Sequence, residues 1–281
     1  MTELFIDVND IKICYEIHGR EDQYPILLIH GFGAKKEHWI AQIGALSEKY
    51  KVIIFDNRDA GKTSRSNRPY TMETLADDIK SLMDELKIDK AHIIGWSMGG
   101  AIVQNFVLKY PERVNKVILI NTFLDLPADV GGIEALKKSR FDEIEMIKKD
   151  PEKAYWQNAR IFFYREFRKE MQLNPNKKFF GVWSVENEIK ETTIDIPTQS
   201  EIENQINAIK THKTINRLSQ IKNKTLLLAA SHDKVCPKSN MIEMNKRIPN
   251  SILKIIEKAG HNSPKSRTPE VNKTIIDFLE N

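Results

Sequence analysis

Ala91-His92-Ile93-Ile94-Gly95-Trp96-Ser97-Met98-Gly99-Gly100 is the stretch on which the fold turns. Ala91 to Ile94 is a short apolar run of strand type, and the pattern from Met98 to Lys109 is helical, so Ser97 stands where strand passes into helix. A sharp strand-to-helix turn crowds the backbone, so the residues two before and two after its centre must be small. Gly95 and Gly99 meet that demand. The serine oxygen is then lifted clear of the sheet, above a helix N-terminus whose free N–H groups and dipole favour developing negative charge. This is what the nucleophile of an acyl-transfer reaction requires.

Outward from this stretch the same rhythm repeats. Ile26 to Ile29, Val52 to Phe55, Val117 to Ile120, Thr225 to Ala229 and Ile252 to Ile256 read as strands buried on both faces. Helix patterns interleave at His38 to Lys49, Met72 to Leu86, Ser239 to Arg247 and Pro269 to Leu279, the last with proline in its first turn. Leu4 to Val8 and Lys12 to Ile17 suit an antiparallel hairpin turning at Asn9 and Asp10, placed at a sheet edge. The alternation predicts an α/β fold with a mostly parallel sheet flanked by helices. It fails between about Thr122 and Ile221, where helix-like segments rich in Lys, Glu and aromatic residues replace strands. The expected organisation is a core of residues 1–121 and 222–281 and a helical cap, 122–221, inserted over the strand ends where open α/β sheets bind ligands.

Composition narrows the function classes. A chain of 281 residues, 41% hydrophobic and 29% charged, buries a substantial core and is neither disordered nor fibrous. Its 43 basic and 39 acidic residues nearly balance, unlike the one-sided charge of a nucleic-acid or anionic-membrane binder. Met1 to Asp10 lacks a basic start and an apolar run of signal-peptide length, and no apolar stretch approaches the ~20 residues of a membrane span. With Cys14 and Cys236 the only cysteines, no disulfide framework is expected, and the reading is a cytosolic protein. HExxH, paired CxxC and helical histidine pairs with a carboxylate are all missing, so no metal or cofactor is expected. Gly61, Lys62 and Thr63 suggest a phosphate loop, but Asp56 stands where the first glycine is required.

The Gly95-Trp96-Ser97-Met98-Gly99 elbow, together with other segments along nearly the whole chain, resembles the α/β-hydrolase superfamily, in its capped serine esterase and enol-lactonase-like branch. The resemblance implies an eight-stranded sheet with the cap after the sixth strand. His30-Gly31-Phe32-Gly33 looks like the family's HGxG turn, which places one oxyanion N–H on Phe32 and, by the same resemblance, the second on Met98. Asp56-Asn57-Arg58-Asp59-Ala60-Gly61 is similar to its DxRGxG loop, with Asp59 where glycine is usual. His261 follows the last strand, and Ala259 and Gly260 let its loop turn tightly; it is the histidine placed late enough for the family's order of serine, acid, histidine. Ser231 to Pro237 resembles the acid loop and nominates Asp233; Asp125 is the alternative acid. His18, His38, His92, His212 and His232 are read as surface or packing residues, and His30 as ordering the oxyanion turn.

The expected activity is therefore cleavage of a small or medium apolar carboxylic ester through Ser97, His261 and Asp233 and an acyl-enzyme. A serine at the elbow argues against the dehalogenase and epoxide-hydrolase relatives, which use aspartate there. An enol-lactonase or carbon-carbon bond hydrolase on the same triad is the alternative, followed by a ligand-binding receptor and an acyltransferase. The partner is a small-molecule ester or lactone, with homo-oligomerisation left open. Phe141, Tyr155, Trp156, Phe162, Phe163, Tyr164, Phe167, Phe179, Phe180 and Trp183 are expected mainly to pack the insertion's helices onto the sheet domain, some lining an acyl pocket. The lysine pairs at 137–138, 148–149 and 177–178 are read as solvated faces.

Overall fold

The computed structural model describes residues 2–66, 68–125 and 130–281. Met1 and residues 126–129, which the sequence assigned to the N-terminal segment and the insertion, lie outside them. In chain order the elements are β1 (Leu4–Val8), β2 (Ile11–His18), β3 (Pro25–Ile29), α1 (Ile40–Ser47), β4 (Lys51–Phe55), α2 (Met72–Glu85), β5 (Ala91–Trp96), α3 (Met98–Lys109) and β6 (Val114–Ile120). Helices α4 (Val130–Lys149), α5 (Pro151–Phe162), α6 (Arg165–Leu173), α7 (Val185–Thr192) and α8 (Gln199–Lys210) follow. The core then resumes with β7 (Lys224–Ala230), α9 (Lys238–Arg247), β8 (Ser251–Ile256), α10 (Ser263–Ser266) and α11 (Thr268–Glu280).

The eight strands form one sheet in the order β1-β2-β4-β3-β5-β6-β7-β8. β1 pairs β2 and β2 pairs β4 antiparallel; every other pairing is parallel. The period-2 alternation of each central strand feeds two cores. Leu27, Ile29, Ile53, Ile93, Leu119 and Leu227 pack with α2 and α3, while Ile26, Leu28, Val52, Ile94 and Ile118 pack with residues of α1 and α11. Each of these side chains is fully buried, a contribution of roughly 1.5–3 kcal/mol apiece. Helix starts follow their caps: Thr71 and Thr74 form a reciprocal capping box for α2, Thr198 and Glu201 another for α8, and Asp150 caps α5 ahead of Pro151.

Three local expectations change. β8 was read as buried on both faces, but it is the sheet edge and alternates, with Ile252 61% exposed. The helix expected from His38 begins instead as a 3-10 turn, Lys36–Trp39, and becomes α-helical only at Ile40. α10 was not anticipated; it is a single turn between His261 and α11. The break in strand rhythm after β6 corresponds to α4 through α8. These helices reach the loops that follow β3, β4 and β8, through contacts at Gly33, Asp59 and His261. They therefore stand over the C-terminal ends of the strands.

Candidate active site

Ser97 leaves β5 at φ 57° and ψ −124° and enters α3 directly, a conformation that a residue with a side chain adopts only under local strain. Close packing makes the strain necessary. A Cβ on Gly95 would lie 2.4 Å from the Gly99 carbonyl oxygen, and one on Gly99 would lie 2.1 Å from that of Ile29. The Ser97 N–H donates to the Ile120 carbonyl at 3.0 Å, and its own carbonyl accepts from Thr122 Oγ1 at 2.7 Å. The elbow is thus clamped between β3 and β6.

Ser97 Oγ lies 2.9 Å from His261 Nε2, and His261 Nδ1 lies 2.8 Å from Asp233 Oδ2. The carboxylate partner assigns the proton to Nδ1, which leaves Nε2 free to accept from the serine hydroxyl. The other Asp233 oxygen accepts from the Val235 and Cys236 N–H groups, both at 2.8 Å, so the acid is oriented from two sides. His261 is fixed through its backbone: its carbonyl accepts from Trp96 Nε1 at 3.0 Å and Asn121 Nδ2 at 2.7 Å. Phe162, at the end of α5, packs its ring 5.5 Å from the imidazole.

The His30–Gly33 turn lies against the elbow, for a Cβ on Gly31 would come within 2.9 Å of Ser97 Cβ. His30 is fully buried, and burial depresses its pKa from 6.5 to about 4, so its ring is neutral at ordinary pH. Nε2 accepts from the Asn57 N–H at 3.0 Å, which puts the remaining proton on Nδ1, 2.9 Å from the Gly31 carbonyl. The same carbonyl accepts from the Ala34 N–H at 3.2 Å. The Gly31–Phe32 peptide, and with it the Phe32 N–H, is held by these contacts. Met98 opens α3, where a helix leaves its N–H groups without an internal acceptor.

Asp56 ties the chain that follows the turn to the loop after β4. Its carboxylate accepts from the Lys36 N–H at 2.8 Å and the Lys62 N–H at 3.0 Å; burial raises its pKa to about 6, and Lys36 opposes the rise. Asp59, the departure from the family's usual glycine, holds a left-handed φ of 59° and accepts from the Ser66 N–H and Asn204 Nδ2. The residue thus keeps the backbone shape glycine would allow while tying the loop to α8.

Other candidates are placed elsewhere. Asp125 accepts from the Thr214 and Ile215 N–H groups at 2.8 and 3.2 Å. His18, His92 and His212 are buried packing residues, and His38 stacks on Trp96 with ring centroids 3.8 Å apart. Glu3, Glu16 and Glu37 come close enough together to hold a cation, but the Lys36 ammonium stands among them, 2.9 Å from Glu3 and 3.6 Å from Glu16. Phe163, Phe167, Phe179 and Trp183 pack chiefly on one another rather than on the sheet, in a cluster that takes in Ala41 of α1. A cavity of about 190 Å³ opens between the core and the inserted helices, lined by Gly33, Ala34, His38, Arg140, Glu188 and Lys265 among others, without Ser97, Asp233 or His261 in its wall.

Sequence reasoning missed Asn121 and Trp96 as supports of the His261 loop, and Arg140 and Gln205 as neighbours of the His30–Gly33 turn. Asn121 had one available signal, an amide residue directly after a buried strand. The others lie too far along the chain from their partners for any local pattern to point to them.

A family model described as alpha/beta hydrolase fold matches residues 24–267. A putative carbamate hydrolase RutD of Caulobacter segnis is 26% identical over 95% of this chain and 96% of its own. Among solved structures, the enol-lactonase of Burkholderia xenovorans LB400 superposes with a TM-score of 0.81 at 22% identity, covering 99% of this chain and 100% of its own. A thermophilic esterase of Thermogutta terrifontis gives 0.82 at 22% identity, over 100% and 98%.

Proposed function

The chain belongs to the alpha/beta hydrolase family and is an enzyme, and from that premise we propose that it is a serine hydrolase cleaving a small or medium apolar carboxylic ester. The observation that carries the reading is the unbroken line of hydrogen-bond distances from Ser97 Oγ through the His261 imidazole to Asp233. In this mechanism His261 Nε2 takes the serine proton as Oγ attacks the ester carbonyl. Asp233 holds the ring in the working tautomer and stabilises the imidazolium that forms. Negative charge on the tetrahedral oxygen is met by the N–H groups of Phe32 and Met98, already oriented by His30 and the start of α3. His261 returns its proton to the leaving alcohol, and a water activated by the same ring then releases the acid. Residues 122–221 act as a cap over this chemistry. Two buried, unbridged cysteines fit a cytosolic setting, and no helix among the described residues is long and apolar enough to cross a membrane.

Two further substrate classes use the same groups. A ring lactone, or a carbon-carbon bond beside a carbonyl, is the alternative, and the structural likeness to an enol-lactonase favours the lactone. The relatives named as putative carbamate hydrolases add a carbamate, whose carbonyl the same serine would attack to give a carbamoyl-enzyme.

The test is turnover of p-nitrophenyl esters of graded acyl length by the wild type and by Ser97→Ala. Loss of turnover by about a thousandfold or more in the variant supports the reading, and the preferred length sizes the pocket. Activity surviving in Ser97→Ala sinks the mechanism; Ser97-dependent turnover confined to a lactone or a carbamate transfers it to that substrate.

A further inference from the structure

Gly33 is gripped from both sides by residues far along the chain. Its N–H donates to Gln205 Oε1 at 3.0 Å, and its carbonyl accepts from Arg140 Nη2 at 2.8 Å. Gln205 belongs to α8 and Arg140 to α4, so both contacts come from the inserted helices. Neither is a loose surface contact. Gln205 is 2% exposed and spends its amide on the Asp59 carbonyl at 3.0 Å, while Arg140 is braced by Glu143 at 2.5 Å. The guanidinium lies so close that a Cβ on Gly33 would fall 2.6 Å from Nη2.

Phe32 and Gly33 are the two central residues of a turn closed by the Ala34 N–H on the Gly31 carbonyl, with Gly33 at a φ of 61°. The peptide joining two such residues is the soft part of a turn: it flips at small cost between turn types when glycine sits at the second position. A flip would reverse the Phe32 carbonyl and the Gly33 N–H and so disturb the Ala34 N–H bond to the Gly31 carbonyl, whose peptide carries the Phe32 N–H. The bond from Gly33 to Gln205 selects one of the two states, and the bond to Arg140 fixes the peptide that follows.

We propose that Arg140 and Gln205 are positioning residues, which set the oxyanion turn by holding both peptides of Gly33 and so make the competence of the core site depend on the docking of α4 and α8. The inference rests on the serine-hydrolase reading and adds to it a role for the insertion in transition-state stabilisation. Removing a direct oxyanion donor costs about 10²–10³ in kcat, so loosening the turn that carries one is expected to cost about tenfold.

The experiment uses the full chain carrying Gln205→Ala, Arg140→Met or Arg140→Lys. Three quantities are read: kcat and KM per titrated serine, the Ki of a trifluoromethyl ketone whose adduct carries an oxyanion, and exchange of the Gly33 amide hydrogen by NMR. The expected result is faster Gly33 exchange, with kcat lowered about tenfold and Ki raised by the same factor in Gln205→Ala. KM stays unchanged, and Arg140→Lys recovers part of what Arg140→Met loses. A merely structural role would lower the titratable fraction and leave kcat per site intact; that result overturns the proposal. So does Gly33 exchange indifferent to both substitutions, or a change confined to KM. A wild type without Ser97-dependent turnover removes the functional reading and this inference with it. Gly33 exchange still responding in that case would show that the function, rather than the grip, had failed.

Discussion

The elbow at Ser97 and the turn at Gly31–Gly33 lie against one another, yet they owe their shapes to different parts of the molecule. The elbow is held by its own neighbourhood: Ile29, Ile120 and Thr122, all on or directly after strands of the central sheet. The turn is held on its inner side by His30 and Asn57, and on its outer side by residues 107 and 172 positions further along the chain. A strained backbone enclosed by a sheet is a property of the core; a glycine turn gripped from outside is a joint property of core and insertion. On the proposed reading, the nucleophile is therefore set once by folding, while the turn proposed to meet the developing charge is set again by how α4 and α8 dock.

The largest effects separate chemistry from framework. Asp233→Asn keeps the hydrogen-bond geometry but favours the wrong imidazole tautomer, and kcat is expected to fall by about 10³–10⁴-fold with KM little changed; a loss under tenfold would place the acid elsewhere. Next comes the elbow. Gly99→Ala drives a methyl group onto the Ile29 carbonyl and is expected to cost about 3 kcal/mol or more in urea unfolding. Gly44→Ala, where a Cβ meets nothing within 4 Å, should instead stabilise by about 1 kcal/mol. Equal effects at the two glycines would break the claim that the core encloses the elbow.

Acid acts on the core in the same spirit. Burial holds His30, His92 and His212 at about 4 when folded, against 6.5 when free, so the unfolded chain takes up protons that the folded chain refuses. Their contribution is complete above pH 6.5 and is lost as pH falls toward 4, by up to about 1.4 kcal/mol per group per pH unit. Asp56, raised from 3.8 to about 6 by burial, works in the opposite direction over much of that window and offsets part of the loss. Tm should fall from pH 6.5 to 4.5, and His92→Gln, which touches no catalytic group, should make that fall shallower. At the small end, Lys138→Ala removes an ion pair on α4 whose partners are 76% and 66% exposed, and should change stability by less than about 0.5 kcal/mol. A larger loss would mean that the insertion is more tightly built than its surface suggests.

What could be read from the sequence follows the same division. Ser97, Gly95 and Gly99 were legible because the constraint among them is local: a few residues, one turn, and a steric demand that their spacing between strand and helix reveals. Asp233 and His261 were legible through the resemblance of Ser231 to Pro237 to the family's acid loop and through that family's order along the chain, and the strands through period and β-branching. β8 misled because an apolar run looks the same whether its strand is central or at an edge; only the sheet order tells them apart. Arg140 and Gln205 were illegible for a related reason. Each is an ordinary polar residue of an amphipathic helix until tertiary packing brings a glycine peptide to it. The departure at Asp59 was visible, but its partners on α8 were not, since nothing in the sequence fixes how that helix is set against the loop.

Asn121 carries a consequence for the order in which the site comes into being. Its side chain accepts from the Ala230 N–H at the end of β7 and donates to the His261 carbonyl and to Ser263 Oγ, across 109, 140 and 142 positions of chain. Such contacts bring their reward only after long loops have closed. During refolding the elbow has its nearer strands available early, whereas the histidine loop has no seat until β7 lies beside β6. Chains that have regained most of their helix are thus expected to stay inactive until β7 docks on β6, so that recovery of Ser97-dependent turnover lags the recovery of helix signal in a refolding experiment.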